Sequence, residues 1–128
     1  MKIHHIAVVC SSRENSDRFY KGLLGLKEIK SAVLDKDLSG QVFGIACESQ
    51  LILYGNDGIA VEVFVPSTAF TKVHTFAHLC LEVEDRGKFA DSCLAGGVVV
   101  KKLPRGDSYL IFVEDYDGNL FEIKELST

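Results

Sequence analysis

The stretch FAHLCLEVEDRGKFADSCLAGG, residues 76–97, decides how this chain is read. Its first eight residues are mostly apolar and read as a strand, and Glu84-Asp85-Arg86 then breaks the run. Phe89 with Cys93 and Ala90 with Leu94 are i,i+4 pairs on one helical face, and Gly96-Gly97 supplies the stop. The beginning of the chain has the same order. Residues 3–10 read as a strand, and Ser11 with Glu14 three positions on forms a capping box that starts a helix. Phe19 with Leu23 and Tyr20 with Leu24 give that helix its buried face, and Gly25 is placed to end it in the left-handed conformation.

Three strand-like segments follow each helix. In the first half they are 28–34, 41–47 and 60–65, with a weaker apolar stretch at 51–54 and turn signals at Ser39-Gly40 and Asn56-Asp57-Gly58. Pro66 closes that half. In the second half they are 98–103, 109–113 and 120–124, the last entered through a left-handed turn at Asp117-Gly118-Asn119. Strand, helix, three strands, read twice, predicts an α+β protein of two βαβββ modules, residues 1–66 and 74–126, with the helices on one side of a mixed sheet. The whole, residues 1–128, is expected to be a single domain.

A chain of 128 residues with 47% hydrophobic and 25% charged content can bury roughly two thirds of its unfolded surface. Fourteen Lys and Arg against 18 Asp and Glu give a formal charge of −4, and no basic run is present to follow a phosphate backbone, so nucleic acid is not an expected partner. No apolar run nears the ~18 residues of a membrane span, and no signal-peptide apolar region is read at the N-terminus. A cytoplasmic protein with no membrane association is expected. Cys10, Cys47, Cys80 and Cys93 form no Cys-x-x-Cys pair, which argues against zinc-ribbon and thioredoxin-like sites and for small, buried, reduced residues.

Strand parity sorts the polar residues. With Ile6, Val8 and Cys10 packed on the helix, His5, Ala7 and Val9 take the opposite face. With Leu79, Leu81 and Val83 on the helix side, His78, Cys80 and Glu82 face where His5 faces. In the last strands Glu62 and Phe64 separate from Val61, Val63 and Val65, and Glu122 and Lys124 separate from Phe121 and Ile123. Each module therefore offers one imidazole on its first strand and one carboxylate on its last. Two neutral imidazoles and two carboxylates suit a divalent first-row ion with positions left for water or substrate. His4 and His74 have no module equivalents and are not read as ligands.

The segments 5–9, 19–26, 61–64, 78–83 and 114–123, the last reading Glu114-Asp115-Tyr116-Asp117-Gly118-Asn119-Leu120-Phe121-Glu122-Ile123, together resemble the vicinal oxygen chelate superfamily. That superfamily includes glyoxalase I, methylmalonyl-CoA epimerase, extradiol dioxygenases and the fosfomycin and bleomycin resistance proteins. The resemblance spans essentially the whole chain. It implies βαβββ modules forming a curved mixed sheet around a metal-binding cleft, often in a homodimer that completes the sites. It also implies that His5, Glu62, His78 and Glu122 hold a divalent metal, with Ni or Zn first and Co, Mn or Fe as alternatives. Epimerases of the family usually carry glutamine at the second ligand position, and the iron dioxygenases and resistance proteins generally lack a ligand there. Glu62 thus makes the set similar to that of glyoxalase I.

The activity so implied is isomerisation of the hemithioacetal of methylglyoxal, or another 2-oxoaldehyde, to a 2-hydroxyacyl thioester through an enediolate. Glu122 is the first choice for the base and Glu62 its partner. Where bacterial relatives tend to hold glutathione with an arginine and an asparagine, this chain has Val9 and Pro66. The small-molecule substrate is then a thiol adduct whose thiol is open. Lys101, Lys102 and Arg105 are available to an anionic group, with Lys102 and Arg105 taken as substrate-binding residues. Val9 and Phe64, together with Ala7 and Cys80, make the cleft partly apolar. Two other readings stand beside this one: an epimerase or lyase using the same chemistry on another acyl compound, and a binding protein that sequesters a drug or metabolite.

Overall fold

The computed structural model describes residues 1–71 and 73–127. The chain folds as two compact units, Met1–Thr71 and Lys72–Thr128. In the first, strand β1 (Ile6–Val9) leads into helix α1 (Arg13–Ser16), which continues as a π-helical stretch (Asp17–Leu23). Then come β2 (Lys27–Leu34), α2 (Lys36–Phe43), β3 (Ser49–Gly55) and β4 (Ala60–Pro66). The second unit runs β5 (Leu79–Val83), α3 (Arg86–Ala95), β6 (Val100–Arg105), β7 (Ser108–Glu114) and β8 (Leu120–Glu125).

Each unit carries one four-stranded mixed sheet, ordered β1-β4-β3-β2 in the first and β5-β8-β7-β6 in the second. In both, the opening strand pairs in parallel with the closing strand, and the remaining pairs are antiparallel. The repeat read from the sequence is therefore present, with one addition. Residues 41–47, expected as a strand, lie in and after α2. Asp35 caps that helix by accepting from the Leu38 N–H at 2.8 Å, and Gly44 ends it at φ 71°, a conformation that favours glycine. Cap chemistry at both ends and packing of Phe43 against Phe64 outweigh the low helix propensity of Ser39, Gly40 and Val42.

Smaller differences have local causes. The cap of α1 is Ser12, which accepts from the Asn15 N–H at 3.1 Å, while Ser11 Oγ accepts from the Asn15 side chain. The expected box with Glu14 is thus shifted by one residue. In α3 the buried residues are Ala90 and Cys93, spaced i,i+3, and Leu94 is exposed. The turn before β8 is as expected: Gly118 has φ 82°, and the buried Asp115 carboxylate accepts from the Asp117 and Asn119 N–H groups and the Asn119 amide.

Each sheet buries one face against its own helix. In the first unit Ile52, Tyr54, Val61 and Val63 are fully buried on the side of the π-helical stretch, where Tyr20 stacks on Tyr54 at 5.6 Å and Ser16 meets the Tyr54 hydroxyl at 2.6 Å. In the second, Ile111, Val113, Phe121 and Ile123 are buried on the side where α3 packs on β6, β7 and β8. Period-two alternation then assigns the intervening residues to the opposite face of each sheet. Among the described residues no helix is long and apolar enough to cross a membrane.

Candidate metal centre

On the face away from the helix, the two units present the same arrangement. In the first unit β1 and β4 run parallel with Ala7 opposite Glu62. His5, two residues before Ala7, places Nε2 3.7 Å from Glu62 Oε1. In the second, Cys80 lies opposite Glu122, and His78, two residues before it, places Nε2 3.7 Å from Glu122 Oε2. The pairs expected from parity are each formed, in identical register and at the same separation. Both glutamates are largely buried, whereas both imidazoles keep more than a third of their side-chain surface open.

Hydrogen bonds orient the two imidazoles. His78 Nδ1 is 2.8 Å from the Phe76 carbonyl oxygen, which can only accept, so Nδ1 carries the proton and donates. The lone pair of a neutral imidazole then sits on Nε2 and faces the Glu122 carboxylate, another acceptor. An imidazole nitrogen and a carboxylate oxygen 3.7 Å apart can both donate electron pairs to one cation. The His78 ring is further held edge-on to Phe112, 5.7 Å between centroids. His5 Nδ1 meets His4 Nδ1 at 2.8 Å, so His4 steadies a ligand candidate rather than serving as one. His74 lies exposed in the segment that precedes β5.

The donor set fits a divalent first-row ion: imidazole nitrogen and carboxylate oxygen donors, accessible, with Nδ1 of each imidazole hydrogen-bonded. Within each unit the donors come as a pair, and among the described residues no three His, Cys, Asp or Glu side chains form a metal-holding group.

The expected substrate residues divide. Val9 lies opposite Phe64 on the site face, one row beyond Ala7 and Glu62, and Phe64 meets Phe43 of α2 edge-on at 5.4 Å. Arg105 pairs with Ser108 at the end of β6 and is exposed, on the face shared with Lys101. Lys102 does not reach this face. It pairs with the buried Ile111, and its Nζ sits 4.2 Å from the centre of the Tyr109 ring, against which Arg86 also packs at 4.1 Å. The lysine on the site face is its neighbour Lys101, opposite Phe112 and 3.8 Å from Glu114. In a run of two lysines only the register with Ile111 decides which one faces the site, and one strand alone does not reveal that register.

The cysteines also divide. Cys10 and Cys93 are buried, and burial pushes the Cys93 thiol up to about 11. Cys80 is exposed on the site face, its thiol pushed up by desolvation and by the Glu122 carboxylate, and Cys47 is only half-buried. All four are free.

Two matched mixed sheets, each with a His–Glu pair on the open face, define the class. Residues 2–123 match the family described as Glyoxalase/Bleomycin resistance protein/Dioxygenase superfamily, and the chain belongs to it. Among solved structures it is similar to a glyoxalase family protein from Bacillus cereus (TM-score 0.77, 16% identity, covering 99% of this chain and 95% of that one). It is similar also to the trypanothione-dependent glyoxalase I of Leishmania major (0.75, 18%, 98% and 86%). A third is the fosfomycin resistance protein FosX of Listeria monocytogenes (0.73, 17%, 99% and 94%), a protein that has also been solved with Mn(II). At these identities the likeness is one of fold. No curated protein sequence matches the chain.

Proposed function

We propose that this protein is a metal-dependent isomerase of the glyoxalase I type, converting the hemithioacetal of a 2-oxoaldehyde and a small thiol to a 2-hydroxyacyl thioester. The observation that carries the reading is the duplicated His–Glu pair, with the His78 tautomer set by the Phe76 carbonyl so that its free lone pair meets a carboxylate. Four protein ligands including Glu62 favour this reading over sequestration, which needs no such set. His5, Glu62, His78 and Glu122 would hold the ion, which supplies charge stabilisation to the two adjacent oxygens of the substrate.

The chain's own groups do the rest. Glu122 takes the proton from the carbon bearing sulfur and hydroxyl and returns it to the adjacent carbonyl carbon, so that the hydroxyl and carbonyl exchange places with no net gain or loss of atoms. Glu62 is the matched carboxylate. The Phe76 carbonyl keeps His78 in one tautomer, and Val9 and Phe64 supply an apolar wall for the carbon skeleton. A homodimer is part of the same reading.

The test is calorimetric titration of chelator-treated protein with Ni(II) and with Zn(II), beside the Glu62→Gln protein, followed by a turnover assay with methylglyoxal and glutathione on the loaded sample. The expected result is a saturable site that weakens in the variant, together with turnover. Absence of binding would remove the metal centre and leave sequestration as the leading reading.

A further inference from the structure

Among the described residues one register shift is present in the two sheets, on β2 between Glu28 and Lys30. Glu28 opposes Tyr54, a helix-side residue, and its carboxylate is taken by Arg13 of α1. In unbroken register Ile29 would oppose Leu53 on the site face, and Lys30 would oppose Ile52 on the helix side. The bulge instead sets Lys30 opposite Leu53, which in turn opposes Glu62. The row across the sheet thus reads Lys30, Leu53, Glu62, Ala7, and the second unit reads Lys101, Phe112, Glu122, Cys80. In both, a lysine stands two strands from the glutamate, about 9–10 Å between backbones. The second unit reaches this arrangement with a regular β6, while the first needs a bulge to do so.

The bulge has visible support. The terminal carbon of Ile29 lies where a Cβ on Gly55 would be, 2.7 Å from that position, so the missing side chain makes room for the extra residue. Ile29 remains 57% exposed. The two lysines differ in their surroundings: Lys101 is 3.8 Å from Glu114, whereas among the described residues Lys30 forms no ion pair, and Glu62 in its row is turned to His5. On the edge strand β2 a lysine and a bulge both discourage pairing with another chain, but edge protection does not call for the row shared with Glu62 and matched by Lys101 in the second unit.

We infer that Lys30 is a specificity-determining residue that binds an anionic group on the substrate, a carboxylate carried a few bonds from the two oxygens presented to the metal. The inference rests on the metal reading above. Metal-loaded protein is titrated calorimetrically with two hydroxamates, each offering two adjacent oxygens to an ion: hexanohydroxamic acid, which is neutral at its tail, and the monohydroxamate of adipic acid, which ends in a carboxylate. The wild type is expected to favour the carboxylated probe by about fivefold, the size of one exposed charge pair. Lys30→Met is expected to abolish that preference while binding the neutral probe as the wild type does. Equal affinity of the wild type for the two probes would overturn the inference and leave the metal centre standing. A preference that survives in Lys30→Met but is lost in Lys101→Met would move the role to the second unit and overturn it likewise. Failure of both probes to bind would overturn the metal reading and this inference with it.

Discussion

Cys47 follows α2 with its Sγ 3.5 Å from Ser67 Oγ, 3.4 Å from Thr68 Oγ1 and 3.2 Å from the Glu48 carbonyl oxygen. The Ser67 hydroxyl, then that of Thr68, stabilises the thiolate and brings the group down to about 7. Nucleophilicity belongs to the thiolate, so the rate of Cys47 alkylation by iodoacetamide should rise as pH passes upward through about 7 and then level off. Ser67→Ala with Thr68→Ala should move that midpoint upward toward the ordinary thiol value. Peptide mapping by mass spectrometry separates the sites: Cys10 and Cys93 stay unlabelled in folded protein, and Cys80 follows at higher pH because its thiol is raised. A midpoint unchanged by the double substitution would show that these hydroxyls do not act on the sulfur. The expectation of four buried cysteines fails at Cys80 because its strand position gives it to the open face, and at Cys47 because residues 41–47 are not a strand.

At the scale of elements, α2 tests how cap chemistry holds a short helix of unfavourable composition. Asp35→Ala removes the acceptor of the Leu38 N–H and should destabilise the first unit by about 1 kcal/mol, read as a shift in urea midpoint without change of slope. A loss near zero would mean that Phe43 and Ser39 packing alone hold the helix. The strands were legible because period two survives in a half-buried sheet, and the helices at 13 and 86 because apolar residues at helical spacing were followed by a glycine stop. In residues 35–44 the same cap and stop are present, but Ser39-Gly40 reads as a turn and Val42-Phe43 as strand formers, so local preference pointed away from the observed helix. The His–Glu pairs were legible for the same reason as the strands. Lys30 was not, since a bulge inverts parity from within, and which of Lys101 and Lys102 faces the site depends on register with a partner strand.

Across the whole molecule, the matched pairs link ligand binding to stability. On the proposed reading a divalent cation binds the His–Glu pairs only in the folded state, where strand register holds the groups together. Added Ni(II) or Zn(II) should therefore raise the melting temperature. At a free concentration 100 times Kd the gain is about 2.7 kcal/mol, or on the order of 10 °C for a chain of this size. Glu62→Gln and Glu122→Gln should each diminish the rise, because an amide oxygen is a weaker donor than a carboxylate, and each removes a ligand from a different unit. If both substitutions reduce the rise, both His–Glu pairs take part in metal binding; if only one does, the other pair holds no metal, and the four-ligand assignment fails. Differential scanning calorimetry at several metal concentrations separates these outcomes, since a bound ion makes the midpoint climb with the logarithm of its concentration whereas a protonated ion pair leaves it fixed.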